Sequence, residues 1–126
     1  MPHPKNYLYT NDHEWLNQLD ECSVVGITDF AQNQLGEIVY VDLPEVGDSF
    51  EAGEAFGEVE SVKSVSELLM PVAATIVEVN EELADAPDLV NSDSYGDGWL
   101  IKIEYGDGDI SHLMDSESYD AFCSEL

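Results

Sequence analysis

Turn-forming residues divide this chain into short segments, and their spacing constrains the fold more than any other feature. Prolines and glycines recur from residue 44 to residue 108, singly or in close pairs, at intervals of at most 16 positions. These residues are Pro44, Gly47, Gly53, Gly57, Pro71, Pro87, Gly96, Gly98, Gly106 and Gly108. The segments between them are rich in β-branched and aromatic residues. This pattern is typical of an all-β sandwich or barrel and disfavours alternating βαβ units.

Side-chain patterns predict where the strands lie. Segment 38–43 is an almost unbroken apolar run, which predicts a strand buried on both faces. Alternation with acidic neighbours places Val59 inward, and it places Val77 and Val79 inward on either side of Glu78. The predicted strands span residues 22–26, 38–43, 58–62, 75–80 and 100–104.

Capping residues predict two short helices. Thr28 can cap the start of a helix over residues 29–35, and Gly36 suits the position just after its end. Ser116 can cap a C-terminal helix whose apolar residues recur at helical spacing and predict a face that docks on the core. That stripe consists of Tyr119, Phe122, Cys123 and Leu126. No linker or low-complexity segment interrupts the chain, so residues 1–126 are predicted to form a single domain.

The charge balance excludes several classes of function. The chain has 28 acidic residues against three lysines, giving a formal net charge of −25 at pH 7. Such a surface repels phosphate backbones and anionic membranes, so we expect no nucleic-acid or membrane partner. The longest apolar run is far shorter than the roughly 20 residues of a membrane-spanning helix. Apolar residues nevertheless make up 44% of the chain, which favours a folded domain over a disordered acidic chain.

The cysteines and the N-terminal sequence indicate a reducing compartment. Cys22 and Cys123 share no spacing typical of a metal site or a redox motif, which predicts two reduced thiols. The first residues contain neither an apolar signal core nor an Arg-rich amphipathic stretch. We therefore expect a bacterial cytoplasmic location, and consider a mitochondrial matrix the less favoured alternative.

Catalytic and metal-binding arrangements find little support in the sequence. The chain offers almost no cations that could lower a cysteine pKa and make the thiol nucleophilic. The three histidines share no zinc-site spacing, and segment 91–96 resembles a calcium loop only in part. In a 12-residue calcium loop that began at Asn91, Tyr95 would occupy a ligand position, and Lys102 would stand where the bidentate glutamate belongs. With 28 carboxylates, accidental acid pairs carry no information. We expect no metal and no catalytic site.

Lys63 is conspicuous because lysine is so scarce. Lys5 lies in the N-terminal tail and Lys102 in a predicted strand, whereas Lys63 lies between two strand-like segments, 57–62 and 66–71. This places one primary amine at the tip of a hairpin over residues 58–70, within reach of a modifying enzyme. A solvated turn lysine is the simpler interpretation. The alternative is acylation, which would attach a long flexible arm to a rigid base and make the chain a swinging-arm carrier.

The sequence around Lys63 resembles the H-protein family of the glycine cleavage system. The central Glu-Ser-Val-Lys at positions 60–63 differs from the Asp-Lys-Ala of 2-oxoacid dehydrogenase lipoyl domains and from the Met-Lys-Met of biotin carriers. The resemblance covers nearly the whole chain. The similar segments are 9–10, 13–15, 25–32, 35–41, 43–47, 57–63, 78–80, 89–91 and 95–99.

This resemblance implies a fold, a cofactor and a set of partners. The implied fold is mainly β, a barrel-sandwich hybrid like lipoyl and biotinyl carriers, with a few short helices including a C-terminal one. Lys63 would bear lipoate in amide linkage. The carrier would take an aminomethyl group from a pyridoxal-phosphate glycine decarboxylase to a tetrahydrofolate-dependent aminomethyltransferase, and an FAD-dependent dihydrolipoamide dehydrogenase would then reoxidise it. Lipoate-attaching enzymes are implied as further partners, and the carrier itself catalyses no step.

Two glutamates are candidates for sheltering the loaded arm. An aminomethyl-bearing arm ends in a cationic amine that decomposes in water, so carboxylates in a cleft would stabilise it. The family resemblance points to Glu14 in the His-Glu-Trp segment and to Glu67 just after the lysine. The alternative for each is an ordinary solvated acid.

Two other functions remain open at this point. The chain could serve mainly as a lipoyl donor or relay for other lipoylated enzymes, or it could be a non-lipoylated acidic interaction protein of the same fold. With a net charge of −25 on this chain, any electrostatic steering must come from cationic surfaces on the partner enzymes. Repulsion between copies predicts a monomer.

Overall fold

The strands form two antiparallel sheets in the computed structural model, which describes residues 7–19, 22–105 and 113–124. The larger sheet has six strands in the order β1-β2-β3-β9-β8-β5, and the smaller has three in the order β4-β6-β7. The strands are β1 Leu8–Tyr9, β2 Glu14–Gln18, β3 Ser23–Ile27, β4 Ile38–Asp42, β5 Ser49–Phe50, β6 Ala55–Ser61, β7 Val65–Leu69, β8 Ala74–Val79 and β9 Ile101–Glu104. The predicted strand segments therefore exist, with ends shifted by a few residues.

Short helices connect and flank the sheets. They are α1 Asp29–Leu35, a 3-10 helix Glu81–Ala84, α2 Leu89–Ser92 and α3 Ser116–Ser124. The predicted caps of α1 are confirmed, because Thr28 Oγ1 accepts the Ala31 N–H and Gly36 adopts a positive φ of 83°. The C-terminal helix is also confirmed, but Ser116 is its first residue rather than its cap. The side chain of Asp115 accepts the Ser118 N–H there.

Aliphatic side chains from both sheets share one core. The six-stranded sheet contributes Leu16 and Ile76, and the three-stranded sheet contributes Val59 and Leu68, all at most 2% exposed. Packing of two sheets over a common aliphatic core is how a β-rich chain of this size buries its apolar faces. The mainly β fold class with a few short helices is confirmed.

A separate aromatic cluster attaches α3 to the sheet. The Tyr119 ring stacks on Tyr9 with centroids 4.8 Å apart, and its hydroxyl lies 2.7 Å from both His13 Nδ1 and Thr28 Oγ1. Tyr119 is fully buried, and Phe122 packs at the edge of the cluster. The predicted docking face of the helix is thus confirmed, except for Leu126, which lies outside the described residues.

The prediction that segment 38–43 is buried on both faces is wrong. In β4, Ile38 and Val41 are buried, but Val39 is 46% exposed and Tyr40 is 56% exposed. This strand lies at the edge of the three-stranded sheet, and its register against β6 is irregular between Ile38 and Tyr40. An extra residue at such a bulge turns apolar side chains outward that a regular alternation would bury.

The inward orientation of Val77 is also wrong, for the same physical reason. The pairing of β8 with β9 shifts register between Ile76 and Glu78. As a result Ile76 is 1% exposed, whereas Val77 is 37% exposed and Val79 is half-buried. From Glu58 to Ser61 of β6 the burial alternates regularly, and Val59 faces the core as predicted, with 1% exposure.

Helix lengths bear on membrane insertion. Within the described ranges, no helix is long and apolar enough to cross a membrane.

Candidate functional site

Lys63 lies at the tip of the hairpin formed by β6 and β7, as the sequence predicts. The last regular pair before the turn is Glu60 with Val65. Residues 62 to 64 form the turn, and the Lys63 side chain is exposed there. The strands below the tip are anchored by Val59 and Leu68, which are buried in the aliphatic core. An exposed amine therefore stands on a base fixed by core packing.

Ser61 closes the turn with its side chain. Its Oγ accepts the backbone N–H groups of Lys63 and Ser64 at 3.2 and 3.1 Å, and the hydroxyl donates to Ser64 O at 3.2 Å. The Ser61 N–H donates to the same carbonyl at 2.8 Å. A serine hydroxyl that satisfies N–H groups two and three residues ahead fixes the backbone of a turn. The backbone of Lys63 is therefore held by a side chain that is itself buried.

The hairpin tip also rests against segment 36–38, which joins α1 to β4. The Val62 N–H donates to Glu37 O at 3.1 Å. The aliphatic part of the Lys63 side chain lies over Gly36, where an added methyl group would come within 3.2 Å of Lys63 Cε. A glycine suits this position both for that close approach and for its positive φ of 83°. The tip is therefore supported from one side by another part of the chain.

Two exposed apolar side chains lie close to Lys63 in the sequence of the hairpin tip. Val62 is 65% exposed and Val65 is 55% exposed, one before and one after Lys63. Across the described part of the chain, no carboxylate lies within 4.0 Å of the Lys63 ammonium, whereas Lys102 pairs with Glu78 at 3.5 Å. The Lys63 amine is therefore not held in a salt bridge, and the exposed valines beside it offer apolar surface to a hydrocarbon arm.

Glu14 is buried rather than solvated. It is 2% exposed, and its carboxyl oxygens accept the Thr10 hydroxyl at 3.2 Å and the Leu69 N–H at 3.0 Å. Burial raises the pKa of Glu14 from an ordinary 4.5 to about 8, although the hydrogen bonds from Leu69 and Thr10 oppose this. The side chain links β2 of one sheet to the end of β7 in the other.

Glu67 lies in the middle of β7 and is exposed, opposite Glu58 of β6. Both glutamates named from the sequence are thus associated with β7, one as a residue of the strand and the other through a hydrogen bond to it. Glu67 belongs to β7, and Glu14 contacts the backbone of Leu69, two residues further on. Their environments differ, since one carboxyl group faces solvent and the other is enclosed.

A cleft of about 290 Å³ opens at the end of β7 that is remote from Lys63. Residues from the turn before β2 and from the segments flanking the β6–β7 hairpin form its walls. They are Thr10, Asn11, Asp12, Ala52, Gly53, Met70 and Pro71. The strand between the amine and this cleft spans about 13 Å from Val65 to Leu69, at about 3.3 Å per residue. Thr10 connects the cleft to Glu14, because its hydroxyl donates to that carboxyl group.

Sequence reasoning missed Asn91, whose side chain bonds to both ends of segment 36–38. The available signal was a polar amide after two apolar residues, Leu89 and Val90, but that signal does not name its partners. It also missed the turn-closing function of Ser61. A serine two residues before a predicted tip lysine is the local pattern that could have indicated it.

The described residues offer no metal centre, because no three His, Cys, Asp or Glu side chains among them are placed to hold an ion together. Chemically, the site provides an accessible primary amine on a rigid turn. A buried carboxyl group and an exposed carboxylate lie along the strand that follows it.

Comparisons with known proteins agree on one family. The family model described as Glycine cleavage H-protein matches residues 7–126. The glycine cleavage system H protein of Anaeromyxobacter sp. (strain K) is 51% identical over 126 residues, covering 99% of this chain and 98% of its own. That of Bacteroides thetaiotaomicron is 51% identical over 122 residues, covering 96% and 97%. A crystal structure of a glycine cleavage system H protein from Mycobacterium marinum matches with a TM-score of 0.90 at 39% identity, covering 98% of this chain and all of that one.

Proposed function

The chain belongs to the glycine cleavage H-protein family, and we propose that Lys63 is the residue through which it acts as a lipoyl carrier. Members of this family are non-catalytic carrier subunits of the glycine cleavage system. The whole chain, residues 1–126, would form one lipoyl-carrier domain. The single observation that supports Lys63 is its exposed amine at the tip of a hairpin anchored in the core.

The surroundings of Lys63 fit an amide-linked lipoyl group. Ser61 holds the backbone at the tip, so the arm would pivot from a fixed base. The exposed side chains of Val62 and Val65 offer apolar surface to a hydrocarbon chain. When bound, lipoate supplies the reversible dithiol–disulfide chemistry that carries an aminomethyl group. The protein supplies the anchor, the apolar flank and the acids that could face the cargo.

The proposed partners are those of the glycine cleavage system. They are the pyridoxal-phosphate glycine decarboxylase, the tetrahydrofolate-dependent aminomethyltransferase, the FAD-dependent dihydrolipoamide dehydrogenase and the lipoate-attaching enzymes. Because this chain has a net charge of −25, steering must come from cationic patches on those enzymes. We further propose that the protein is a monomer, because copies with this charge repel each other. We also propose that it acts in the bacterial cytoplasm, since the relatives named above come from bacteria.

Glu14 and Glu67 are proposed to face the cationic end of the loaded arm. Glu67 is exposed and available along the strand that follows Lys63. Glu14, with a pKa of about 8, is mainly protonated near neutral pH, so it adds no buried negative charge to the empty carrier. An approaching ammonium group would lower that pKa and favour the carboxylate. The competing interpretation of Glu14 is a purely structural acid that joins β2 to β7.

Intact mass spectrometry tests the attachment site. The chain is co-expressed with a lipoate ligase and free lipoate, as wild type, Lys63→Ala and the matched control Lys102→Ala. We expect the mass increment of one amide-linked lipoyl group in the wild type and in the control, and none in Lys63→Ala. An unmodified wild type under these conditions would favour the non-lipoylated interaction protein instead.

The lifetime of the loaded arm tests the two acids. Carriers with Glu14→Gln, Glu67→Gln or the control Glu104→Gln are loaded with the aminomethyl group, and the release of formaldehyde is timed. Glu104 is an exposed acid on β9 of the six-stranded sheet. We expect faster release from the first two variants only. Equal lifetimes in all carriers would remove both acids from the arm site.

A further inference from the structure

We propose that Asn91 is a positioning residue for Lys63, acting through segment 36–38. Asn91 lies in α2 and is far from Lys63 in sequence. Its side chain holds segment 36–38, and the hairpin tip rests on that segment. The inference builds on the proposed attachment of lipoate to Lys63 and adds the residue that sets the orientation of the attachment point.

The Asn91 amide bonds to both ends of segment 36–38. Its Nδ2 donates to Gly36 O at 2.8 Å, and its Oδ1 accepts the Ile38 N–H at 2.8 Å. The second Nδ2 hydrogen is directed to Gln32 Oε1 in α1, at 2.9 Å. Because the side chain binds a carbonyl before Glu37 and an N–H after it, it fixes the two peptide groups that flank this residue.

The hairpin tip contacts the same short segment. The Val62 N–H donates to Glu37 O at 3.1 Å, between the two points that Asn91 holds. The Lys63 side chain lies over Gly36, with Cε 3.2 Å from where a methyl group would be. One contact therefore orients the backbone just before the lysine, and the other supports the lysine side chain itself.

Segment 36–38 needs an external support because its own backbone is weakly constrained. Gly36 ends α1 at a φ of 83°, a region that glycine enters and leaves with little penalty. Without the Asn91 amide, Gly36 O and the Ile38 N–H would lose these partners. The segment would then be held only by the bond from the Gly36 N–H to Gln32 O, the bond from the Val62 N–H to Glu37 O and the pairing of Ile38 with Ser61, so Val62 and Lys63 would be fixed less firmly from this side.

A structural role alone would have a different signature. Asn91 also joins α2 to α1 through Gln32, so its removal is expected to lower the overall stability. Asn80 is a matched control for that effect. Its Nδ2 donates to the carbonyls of Asp97 and Trp99, each at 2.8 Å, and its Oδ1 accepts the Glu82 N–H. Among the described residues, none of these bonds involves segment 36–38 or the hairpin tip.

The test compares Asn91→Ala with Asn80→Ala in the full chain, at a temperature where both are folded. Amide exchange of Val62 is followed by NMR, and the steady-state kinetics of lipoylation by a lipoate ligase are measured with the carrier as the varied substrate. We expect Asn91→Ala to speed Val62 exchange at least tenfold and to lower kcat/KM several-fold. Asn80→Ala should leave both quantities near their wild-type values even when it lowers the melting temperature equally.

Equal behaviour of the two variants in both measurements would overturn the proposal. Asn91→Asp provides a second variant in case Asn91→Ala does not fold, since it keeps an acceptor for the Ile38 N–H but cannot donate to Gly36 O. It should show the same two changes, and wild-type values would also count against the proposal. If the wild type itself gains no lipoyl mass, the proposed function fails, while Val62 exchange still decides whether Asn91 orients the tip.

Discussion

The hairpin tip and the docking site of α3 are held by opposite means. At the tip the side chains of Val62 and Lys63 are exposed. The backbone there is held by hydrogen bonds, because Ser61 Oγ accepts the Lys63 N–H and the Glu37 carbonyl accepts the Val62 N–H. At α3 the order comes from buried rings, with Tyr119 fully enclosed and stacked on a second tyrosine. A region that must present a group to other proteins can be fixed without burying it, whereas a region that only closes the fold uses buried area.

Glu14 connects the aromatic cluster to the base of the hairpin. It precedes Trp15 of that cluster in β2, and its carboxyl group accepts the N–H of Leu69 at the end of β7 that is remote from Lys63. A change in the protonation of Glu14 therefore acts where the two sheets meet, at the base of the hairpin and not at its tip.

The largest expected effect is on stability, at the docking site of α3. Tyr119→Ala removes a fully buried ring and should lower the free energy of unfolding by about 3–5 kcal/mol. Lipoylation of Lys63 should proceed at the wild-type rate wherever the variant is folded. Urea denaturation and the ligase assay measure the two quantities. Tyr119→Phe is the control, because it keeps the ring and loses the hydroxyl with its contacts to His13 and Thr28, at about 1–2 kcal/mol. A slowed modification rate in either folded variant would contradict the separation of the two regions.

The second prediction concerns pH and Glu14. Burial raises the pKa of Glu14 from 4.5 to about 8, so between these values the folded protein holds a proton that the unfolded chain has released. The contribution of Glu14 to stability is therefore fully present below about pH 4.5 and falls as the pH rises towards 8. At about 1.4 kcal/mol per pKa unit, the loss from pH 5 to pH 8 is roughly 3 kcal/mol.

Glu14→Gln should remove this component, because an amide of the same shape does not ionise. Urea denaturation at pH 5 and pH 8 should show a smaller fall in stability for the variant than for the wild type. Glu67→Gln, which changes an exposed acid on β7, should retain the wild-type fall. If Glu14→Gln follows the wild-type pH dependence, the carboxyl group is already ionised in the folded protein near neutral pH.

A smaller effect is expected within the hairpin tip. Ser61→Ala removes the acceptor of the Lys63 and Ser64 N–H groups and should lower the free energy of unfolding by about 1 kcal/mol. Unlike Tyr119→Phe, it should also accelerate exchange of those two amides beyond the change in global stability. Exchange that follows global unfolding alone would mean that the turn is held by strand pairing and not by the serine.

The smallest effect is expected at the lysine itself. Lys63→Gln changes an exposed side chain with no carboxylate partner within 4.0 Å among the described residues, so stability should change by less than about 0.5 kcal/mol. The melting temperature measures this, with Lys102→Gln as a comparison that loses the ion pair to Glu78. A large destabilisation by Lys63→Gln would show that the amine stabilises the fold, contrary to a purely presenting role.

The parts of the fold that depend on local signals were predictable from the sequence. The caps of α1, the hairpin around Lys63 and the docking face of α3 each follow from residues within one turn of helix or one strand pair. The register shifts in β4 and β8 were not predictable, because one inserted residue reverses the alternation and no local pattern marks it. They account for the errors at Val39, Tyr40 and Val77.

The missing parts of the candidate site depend on distant partners. Asn91 binds residues 53 to 59 positions earlier in the chain, so its role becomes visible only when α2 is placed beside α1. The burial of Glu14 likewise depends on Leu69, 55 positions away. With 28 acidic residues in the chain, composition gave no means to tell Glu14, whose carboxyl group is enclosed, from the acids that face solvent.

The separation in sequence between contacting residues also sets an expected order of folding. The β6–β7 hairpin closes over a few residues, and hairpins form in about 1–10 μs. The Tyr119 hydroxyl instead contacts residues 91 and 106 positions earlier, a loop closure with a much larger entropic penalty. We therefore expect a higher φ-value for Ser61→Ala than for Tyr119→Ala in stopped-flow refolding, and the reverse order would refute this. The lysine-bearing tip would then be formed in the transition state, before α3 has docked.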